Sequence, residues 1–333
     1  MIYTTKEIKN FIERLVGGKD ILFKKLNATG NMTARLEDGG NDTLLLVEVD
    51  GKEYVLKMKS KAFDHNVCGA MNWHDTDEFR RSFEKGKSIF YIRGSYDREG
   101  KIYKAFSSLK ENLPIIYGSE SDDTRSIILM EKLPISRVTK DVEIARLLKK
   151  WHAQYKRKED AERLGANVHT QNDYENATEL SLKLFELIEE CYPDFPAKII
   201  KAGREYVQNY AKNYLKGRSF PSTLCHGDLT INNLTADGEI ILYDLELATY
   251  SNPEFDLISY LVHYPTQLTN EIVERFLRAY YDGKINEEAL KHNLLTYLCT
   301  RFHAMMMITK KLHMPYMEQS IKNYIFLFDY FKV

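Results

Sequence analysis

The sequence predicts an α+β fold in which a small β-rich N-terminal part precedes a larger, mostly α-helical C-terminal part. Residues 32–59 alternate short apolar runs with glycine-containing turns, which is the pattern of antiparallel strands. Beyond Leu133, apolar residues recur every three or four positions over long stretches, as they do on amphipathic helices. A chain of 333 residues is long enough to fill two cores. We therefore expect two lobes, residues 1–132 and residues 133–333.

Charge and cysteine content narrow the class of protein. The chain has 47 lysine and arginine residues and 48 aspartate and glutamate residues, so its net charge is −1. This balance predicts no nucleic-acid partner and no membrane partner, because both attract strongly basic surfaces. The charged N-terminus predicts that there is no export signal, and no apolar stretch is long enough to cross a bilayer. We expect a cytoplasmic protein with four reduced cysteines: Cys68, Cys191, Cys225 and Cys299.

Local patterns predict the individual elements. Residues 4–16 predict an amphipathic helix that begins with a capping box of Thr4 and Glu7. Asp50-Gly51 is a two-residue hairpin signal between two apolar runs. The predicted strands are 32–36, 43–49, 53–58, 115–117 and 126–130, with a helix over 77–91 between the third and the fourth. The predicted helices of the C-terminal part are 141–154, 174–190, 197–215 and 287–312.

The most informative segment is 226–244. Asp228 precedes Asn233 by five residues, and Asp244 follows a short apolar run. Asp237-Gly238 lies between them as a hairpin signal, and a hairpin there would fold Asp244 back beside Asn233. An amide oxygen and a carboxylate suit Mg²⁺, and a second carboxylate suits a base. These are the groups that phosphoryl transfer needs.

The string His226-Gly-Asp228, with Asn233 and Asp244 at these spacings, resembles the aminoglycoside phosphotransferase and choline kinase-like family. The resemblance implies a protein kinase-like two-lobed fold with a nucleotide between the lobes. It also implies a small-molecule kinase that transfers the γ-phosphate of ATP, or of GTP, to a hydroxyl group. Asp228 would be the catalytic base, and Asn233 and Asp244 would hold Mg²⁺.

The same resemblance assigns a nucleotide site to Gly39, Gly40, Asn41, Thr43, Lys57, Glu84, Met130, Glu131 and Leu133. The glycines lie in a turn between two strands, where backbone amides can approach phosphate closely. Strand alternation puts Lys57 on the same face as Val55 and Lys59. In the family a lysine at this place contacts the phosphates and pairs with a glutamate on the following helix. We expect that glutamate to be Glu84, with Glu78 as the alternative.

The sequence does not determine which class of molecule accepts the phosphate. An antibiotic, an amino alcohol or a sugar would each fit the family, and an antibiotic acceptor would imply a role in resistance. The candidate acceptor residues are Tyr260, His263 and Tyr264, and the segments 301–303 and 305–307 are further candidates. His226 and Asp256 would support the catalytic loop without taking part in the chemistry.

Two other classes of protein share this motif. A protein kinase would use the same base and magnesium ligands, but the sequence lacks the His-Arg-Asp, Asp-Phe-Gly and Ala-Pro-Glu strings of that class. A nucleotide-binding pseudokinase scaffold would not need Lys57, Asp228, Asn233 and Asp244 together. The small-molecule kinase is therefore the leading hypothesis.

Overall fold

The structure is a computed structural model that describes residues 3–18, 20–25, 42–61, 76–90, 95–106, 112–134, 139–235, 238–311 and 317–333. Its strands are β1 (Ile21–Lys25), β2 (Asp42–Val49), β3 (Lys52–Ser60), β4 (Ile116–Ser121), β5 (Arg125–Glu131), β6 (Thr223–Cys225), β7 (Leu234–Thr235), β8 (Ile241–Leu242) and β9 (Thr249–Ser251). Its helices are α1 (Thr5–Val16), α2 (Asp77–Gly86), α3 (Ser95–Ala105), α4 (Asp141–Gln154), α5 (Lys158–Arg163), α6 (Gln171–Cys191), α7 (Ala197–Gln208), α8 (Tyr210–Arg218), α9 (Glu254–Val262), α10 (Asn270–Tyr281), α11 (Glu287–Tyr297), α12 (His303–Lys311) and α13 (Met317–Phe331).

The first five strands form one antiparallel sheet in the order β1-β2-β3-β5-β4. The β2–β3 hairpin turns at Asp50 and Gly51, whose φ angles are 50° and 82°. Two left-handed residues in succession are typical of the type I′ turn, which matches the twist of the flanking strands. The hairpin is therefore confirmed. The prediction has no counterpart of β1, and the predicted strand over 32–36 lies outside the described residues.

Alternation along the strands assigns each face of the sheet. Leu56 and Met58 of β3 pack with α1 in a small N-terminal core, and α1 begins with the predicted capping box. Val55 and Lys57 lie on the other face, where α3 contacts β3 and β5. Met130 of β5 joins the large core on that side. Lys57 therefore faces the interior between the sheet and the helical part.

The segment after β3 differs from its prediction. The single helix expected over 77–91 is α2 followed by a short 3-10 turn, Lys87–Phe90, and α3 follows as a helix that was not predicted. α2 packs against α6 so closely that a Cβ atom on Gly86 would lie 2.9 Å from Cα of Ala177. Because α2 lies on the helical part, α3 covers the face of the sheet that carries Lys57.

The C-terminal part is helical as predicted. α4 has the predicted bounds, whereas the helix expected over 197–215 is divided at Asn209 into α7 and α8. The helix expected over 287–312 is interrupted by a π turn at Leu298–Phe302. In the described ranges, none of the helices combines the length and the apolarity needed to span a membrane. The α+β class is therefore confirmed.

Two small sheets carry the segment between β6 and β9. β6 pairs with β9, and β7 pairs with β8. Thr235 is opposite Ile241, so the β7–β8 connection is 236–240 and longer than a two-residue turn at Asp237-Gly238. Ala236 and Asp237 lie outside the described residues. The predicted return of the chain toward Asn233 is nonetheless present.

Candidate active site

The backbone at Gly227 turns into the left-handed region, with a φ of 82°. A Cβ atom on Gly227 would lie 1.9 Å from the carbonyl oxygen of Leu247. Only glycine satisfies both conditions, because side chains rarely adopt this φ and no side chain fits against a backbone oxygen at that distance. The glycine therefore allows the loop to pass tightly over the 3-10 turn Leu245–Leu247 and to present Asp228.

Asp256, the first predicted support residue, holds this loop from below. Its two carboxylate oxygens accept hydrogen bonds from the amides of His226 at 2.7 Å and Gly227 at 3.0 Å. His152 Nε2 lies 3.1 Å from Asp256, and Nδ1 lies 2.9 Å from the Tyr280 hydroxyl. Burial would raise the pKa of Asp256, but the hydrogen bond and charge of His152 hold it below its ordinary value. The buried carboxylate thus stays ionised and keeps both amides in place.

His226, the second support residue, bridges the loop to the strand that carries Asp244. Its Nε2 lies 2.9 Å from the carbonyl oxygen of Tyr243, so this nitrogen carries the proton and donates. Its Nδ1 is then free to accept a hydrogen bond from the amide of Asp228 at 3.4 Å. The imidazole is occupied on both sides by backbone groups, which agrees with a structural role.

The carboxylate of Asp228 is held at both oxygens. The side-chain amide of Asn233 donates to Oδ2 at 3.1 Å and to the backbone carbonyl of Asp228 at 2.7 Å. The guanidinium of Arg301 lies 2.8 Å from Oδ1. The Asp228 side chain remains 22% exposed, so solvent or a ligand can still reach it.

Asp244 lies beside Asn233 through the backbone, because the amide of Tyr243 donates to the carbonyl of Asn233 at 3.0 Å. Asp244 itself has a φ of 65°, a left-handed conformation that costs a side-chain-bearing residue about 1–2 kcal/mol. Its Oδ1 lies 2.5 Å from Nζ of Lys57. Burial would raise the pKa of Asp244, but the charges of Lys57 and Lys59 lower it to about 2.

Lys57 pairs with Glu99, not with Glu84 or Glu78. Nζ of Lys57 lies 2.7 Å from the Glu99 carboxylate on α3. Glu84 pairs instead with Lys87, its neighbour on the exposed surface. Glu78 pairs with Lys183 on α6 at 2.5 Å. The predicted pairing is corrected for a physical reason: α2 packs on the helical part, and α3 is the helix that faces β3.

Two further charges complete this cluster. Glu246 lies 3.4 Å from Nζ of Lys57 and forms an ion pair with Lys59, which is 2% exposed. The carboxylate oxygens of Glu99, Asp244 and Glu246 lie within 4.8 Å of one another. Burial would lower the pKa of Lys57, but the charges of Asp244 and Glu99 raise it well above its ordinary value. Three carboxylates therefore share two ammonium groups.

α3 is tied to the catalytic segment by two more contacts. The Tyr103 hydroxyl donates to Glu99 at 2.9 Å and accepts from the amide of Asp244 at 3.2 Å. Arg98, which is 2% exposed, donates to the carbonyl oxygens of Gly165 at 2.7 Å and Glu246 at 2.6 Å. The helix thus connects the sheet to the C-terminal part at the position of Lys57.

The other predicted nucleotide residues lie at the edge of the described structure. Gly39, Gly40 and Asn41 fall outside the described residues, and Thr43 is the second residue of β2. Met130 and Glu131 end β5, and Leu133 follows as a half-buried residue. The Glu131 carboxylate accepts a hydrogen bond from the amide of Ile115 at 2.7 Å. This position suits backbone contacts to the purine ring of a nucleotide, and those contacts stay a prediction.

Two of the three predicted acceptor residues, Tyr260 and Tyr264, are packed around Asp141. The hydroxyls of Tyr260 and Tyr264 each lie 3.3 Å from the carboxylate of Asp141. Tyr260 is fully buried, and its ring stacks on Phe276. A side chain that is surrounded on all sides cannot contact a soluble acceptor. The positions of both tyrosines therefore indicate a structural role instead of the predicted acceptor role.

His263 is also buried, and it lies close enough to Asp228 to be influenced by its charge. Its Nε2 lies 2.8 Å from the Tyr297 hydroxyl and its Nδ1 lies 2.9 Å from the Ser320 hydroxyl. Burial lowers the pKa of His263 to about 4, although the charge of Asp228 opposes this shift. Both ring nitrogens are engaged in the core, so an acceptor contact at His263 has no support from this geometry.

The donor set fits a magnesium ion. The amide nitrogen of Asn233 is used by Asp228, which leaves the amide oxygen as the ligating atom of that side chain. Asp244 supplies carboxylate oxygens on the adjacent strand end. Hard cations prefer such oxygen ligands and retain waters and phosphate oxygens. The contact of Asp244 with Lys57 means that a cation would share this carboxylate.

A two-part fold with two carboxylates, a side-chain amide and a buried lysine at its centre is the arrangement of a kinase-like phosphotransferase. The model of the phosphotransferase enzyme family (APH) matches residues 33–291. The chain belongs to this family, and it is a nucleotide-binding kinase that transfers phosphate to an alcohol group. No sequence among curated proteins matches it significantly.

Solved structures share the fold over nearly the whole chain. Choline kinase LicA from Streptococcus pneumoniae has a TM-score of 0.56 and 15% identity, covering 98% of both chains. A mutant of aminoglycoside 2'-phosphotransferase-IIIa in complex with GDP has a TM-score of 0.53 and 13% identity, covering 99% of this chain and 97% of that chain. APH(2")-IIa in complex with gentamicin has a TM-score of 0.50 and 13% identity, covering 95% and 99%. These likenesses confirm the predicted protein kinase-like fold.

Sequence reasoning missed Glu99 and Arg301. The signal for Glu99 was present: Ile102, Tyr103 and Phe106 recur at helical spacing after it and are buried in the structure. Arg301 was named only within a candidate acceptor segment, because nothing local to a helix reveals which distant carboxylate an arginine will meet.

Proposed function

We propose that this kinase transfers the γ-phosphate of ATP, or of GTP, to a hydroxyl group of a small acceptor, with Asp228 as the base. One observation carries the proposal. Asp228, Asn233 and Asp244 come from the segment 226–244, and Lys57 comes from β3. Contacts of 3.1 Å or less join Asp228 to Asn233 and Asp244 to Lys57. Asn233 and Asp244 are joined by the backbone contact at Tyr243.

The residues divide the work of the reaction. Asp228 is partly exposed and oriented at both oxygens, so it can direct the attacking hydroxyl and receive its proton. Lys57 lies where the phosphates of a nucleotide between the two parts would meet a buried positive charge. Asn233 and Asp244 would hold Mg²⁺, which neutralises charge on the phosphates when it is bound. Positioning and charge stabilisation supply most of the rate in this class of reaction.

The acceptor class stays open between antibiotics, amino alcohols and sugars. The aromatic residues that suggested a cage for a quaternary ammonium group, Tyr260 and Tyr264, are buried around Asp141. The amino-alcohol option therefore loses its only support from the sequence. We also propose a cytoplasmic location, because Cys191, Cys225 and Cys299 are free thiols.

A screen for ADP release tests the function. The chain is incubated with MgATP, or with MgGTP and GDP detection, against hydroxylated antibiotics, amino alcohols and sugars. We expect one class to accelerate nucleoside diphosphate release, with phosphate found on the acceptor by mass spectrometry. Release that no acceptor class accelerates, with phosphate appearing only on protein, would contradict a small-molecule kinase.

Replacing Asp228 tests its role as the base. We expect Asp228→Asn to lower kcat by roughly 10²–10⁴-fold, because the amide cannot accept the proton of the hydroxyl. Nucleotide affinity, measured by calorimetry, should change little, since Lys57 and Asp244 are untouched. A variant with near-normal kcat would sink the assignment.

Replacing Asp244 tests the predicted cation site. We expect Asp244→Ala to abolish the Mg²⁺-dependent part of nucleotide binding, measured by calorimetry with and without the metal. The chain offers a matched control, because Asp282 also has a left-handed backbone, with a φ of 50°, and also pairs with a lysine, Lys149. Asp282→Ala removes the same kind of residue outside the site and should leave metal-dependent binding intact. Equal losses in both variants would show that the effect is general to the fold.

A further inference from the structure

A buried arginine meets the proposed base. Arg301 is 9% exposed, and its guanidinium lies 2.8 Å from Oδ1 of Asp228. It also lies 3.5 Å from the carbonyl oxygen of Phe90, in the 3-10 turn that follows α2. Arginine rarely becomes buried unless its charge is compensated. The proposed mechanism gives this residue no task.

The contact restrains the carboxylate at the oxygen that Asn233 does not bind. Asn233 donates to Oδ2 from within the catalytic loop, and Arg301 donates to Oδ1 from a helix 73 residues further along the chain. With one donor on each oxygen, the carboxylate plane can no longer rotate freely. The arginine contact joins opposite charges and is shorter than the amide contact, at 2.8 Å against 3.1 Å, so the arginine provides the stronger of the two restraints.

A π turn determines where Arg301 points. Between α11 and α12 the amide of His303 donates to the carbonyl of Leu298, five residues back, instead of to that of Cys299. The freed carbonyl of Cys299 accepts hydrogen bonds from Tyr210 at 2.6 Å and from Ser181 at 3.5 Å. One inserted residue rotates the helix face by about 100°. Such turns recur at functional sites, where other groups compensate for the lost helical bond.

We propose that Arg301 is a positioning residue, which the π turn directs at Asp228 to fix the base toward the acceptor hydroxyl. The proposal rests on the proposed function of Asp228. It assigns Arg301 to the phosphoryl-transfer step, because Lys57 and its partners contact neither Arg301 nor the π turn among the interactions of the described residues. Loss of the arginine should therefore act on kcat and leave nucleotide affinity unchanged.

The test is a double-mutant cycle measured by ADP release from MgATP, without acceptor and with the best acceptor of the screen. We expect Arg301→Ala to lower kcat by about 10- to 100-fold, the effect of a misplaced catalytic group, with the KM for MgATP within about 2-fold. Asp228→Asn/Arg301→Ala should be no slower than Asp228→Asn alone, because the arginine acts through the base. Losses that multiply in the double variant, or a normal kcat in Arg301→Ala, would overturn the inference.

Four comparisons separate positioning from simple loss of structure. Guanidinium ion added to Arg301→Ala should restore part of kcat, and Arg301→Lys should lie between Arg301→Ala and the unaltered chain. Arg275→Ala is the matched control, since Arg275 pairs with the buried Asp141 at 2.5 Å away from the site, and it should keep full kcat. Tyr210→Phe should lower kcat without touching the site, because it removes a donor from the π turn.

The outcomes also separate this inference from the function on which it rests. If Arg301→Ala does not fold, Arg301→Lys and Tyr210→Phe decide: reduced kcat with unchanged MgATP affinity supports the inference, and normal kcat in both rejects it. A normal rate in Asp228→Asn would reject the base itself, whatever the arginine variants show.

Discussion

The two halves of the site are constructed differently. The base half (Asp228, Asn233 and Arg301) lies within the C-terminal part and rests on directed hydrogen bonds to Asp256 and His226. The lysine half (Lys57, Lys59, Glu99, Asp244 and Glu246) joins β3, α3 and the segment after β8 through ion pairs. A base must point in one direction, whereas a phosphate-binding cluster must exchange partners when its ligand arrives. The interactions of each half agree with the roles proposed for them, a base in the first and a phosphate-binding lysine in the second.

The lysine half is the adaptable one. Three carboxylates surround two lysines, so in the proposed function phosphate oxygens at Lys57 would replace contacts that already exist. The base half shows no such surplus among the described residues, because each oxygen of Asp228 has one donor there. We therefore expect substitutions in the base half to affect folding of the loop and kcat, and those in the lysine half to affect nucleotide binding.

The largest effect should come from Gly227, which shapes the base half. In Gly227→Ala the methyl group would collide with the carbonyl of Leu247 and would also occupy a left-handed φ. We expect the free energy of unfolding to fall by more than the roughly 1–2 kcal/mol of the backbone strain alone, together with a loss of kcat. Urea denaturation and ADP release measure the two effects.

Gly51 provides the matched control for this substitution. It has the same φ of 82°, but a Cβ atom on it would meet nothing within 4 Å. Gly51→Ala therefore carries the backbone strain without the collision. If the two variants lose equal stability, the tight passage over Leu247 does not constrain the catalytic loop.

A smaller effect is expected from Glu99, which orients Lys57. Glu99→Gln removes the charge from a contact of 2.7 Å and keeps the shape of the side chain. We expect the KM for MgATP to rise by about 10- to 100-fold, because a contact with a charged group contributes about 1.5–3 kcal/mol and each step of about 1.4 kcal/mol is a factor of ten. Turnover at saturating nucleotide should change less, because the base half is untouched.

Glu84 is the control, since it was the predicted partner and lies on the exposed face of α2. Glu84→Gln should leave the KM unchanged. A rise in the KM for Glu84→Gln and none for Glu99→Gln would reverse the correction made from the structure.

The same division explains what the sequence could predict. Asp228, Asn233 and Asp244 were predicted because they lie within one short segment whose turns fix their geometry. The hairpin at Asp50 and the helix bounds of α4 were predicted for the same reason, since local patterns decide them. Gly227 was predicted as part of a motif, but the close approach of the Leu247 carbonyl, which excludes a side chain there, is evident only in the structure.

The contacts that the sequence did not predict are those that depend on packing between residues far apart in the chain. Glu84 and Glu99 are both glutamates on helices after β3, and only the packing of α2 on α6 determines which one faces Lys57. Tyr260 resembled an acceptor contact because it follows the motif, yet its burial against Phe276 was not encoded locally. The pairing of Arg301 with Asp228 depends on a π turn that the sequence pattern reads as continuous helix.

The smallest predicted effect is that of His303 on the free energy of unfolding at acidic pH. Burial lowers the pKa of His303, two residues after Arg301, to about 3, whereas a histidine in the unfolded chain titrates near about 6.5. Between these values the unfolded chain binds more protons, so the free energy of unfolding falls as the pH decreases from about 6.5 toward 3. His303→Gln removes this contribution and should lessen the loss of stability between about pH 7 and pH 5, by at most roughly 1.4 kcal/mol per pH unit. Urea midpoints at both pH values measure the difference. An identical loss in the variant and the unaltered chain would show that protonation of His303 does not contribute to the loss of stability in acid.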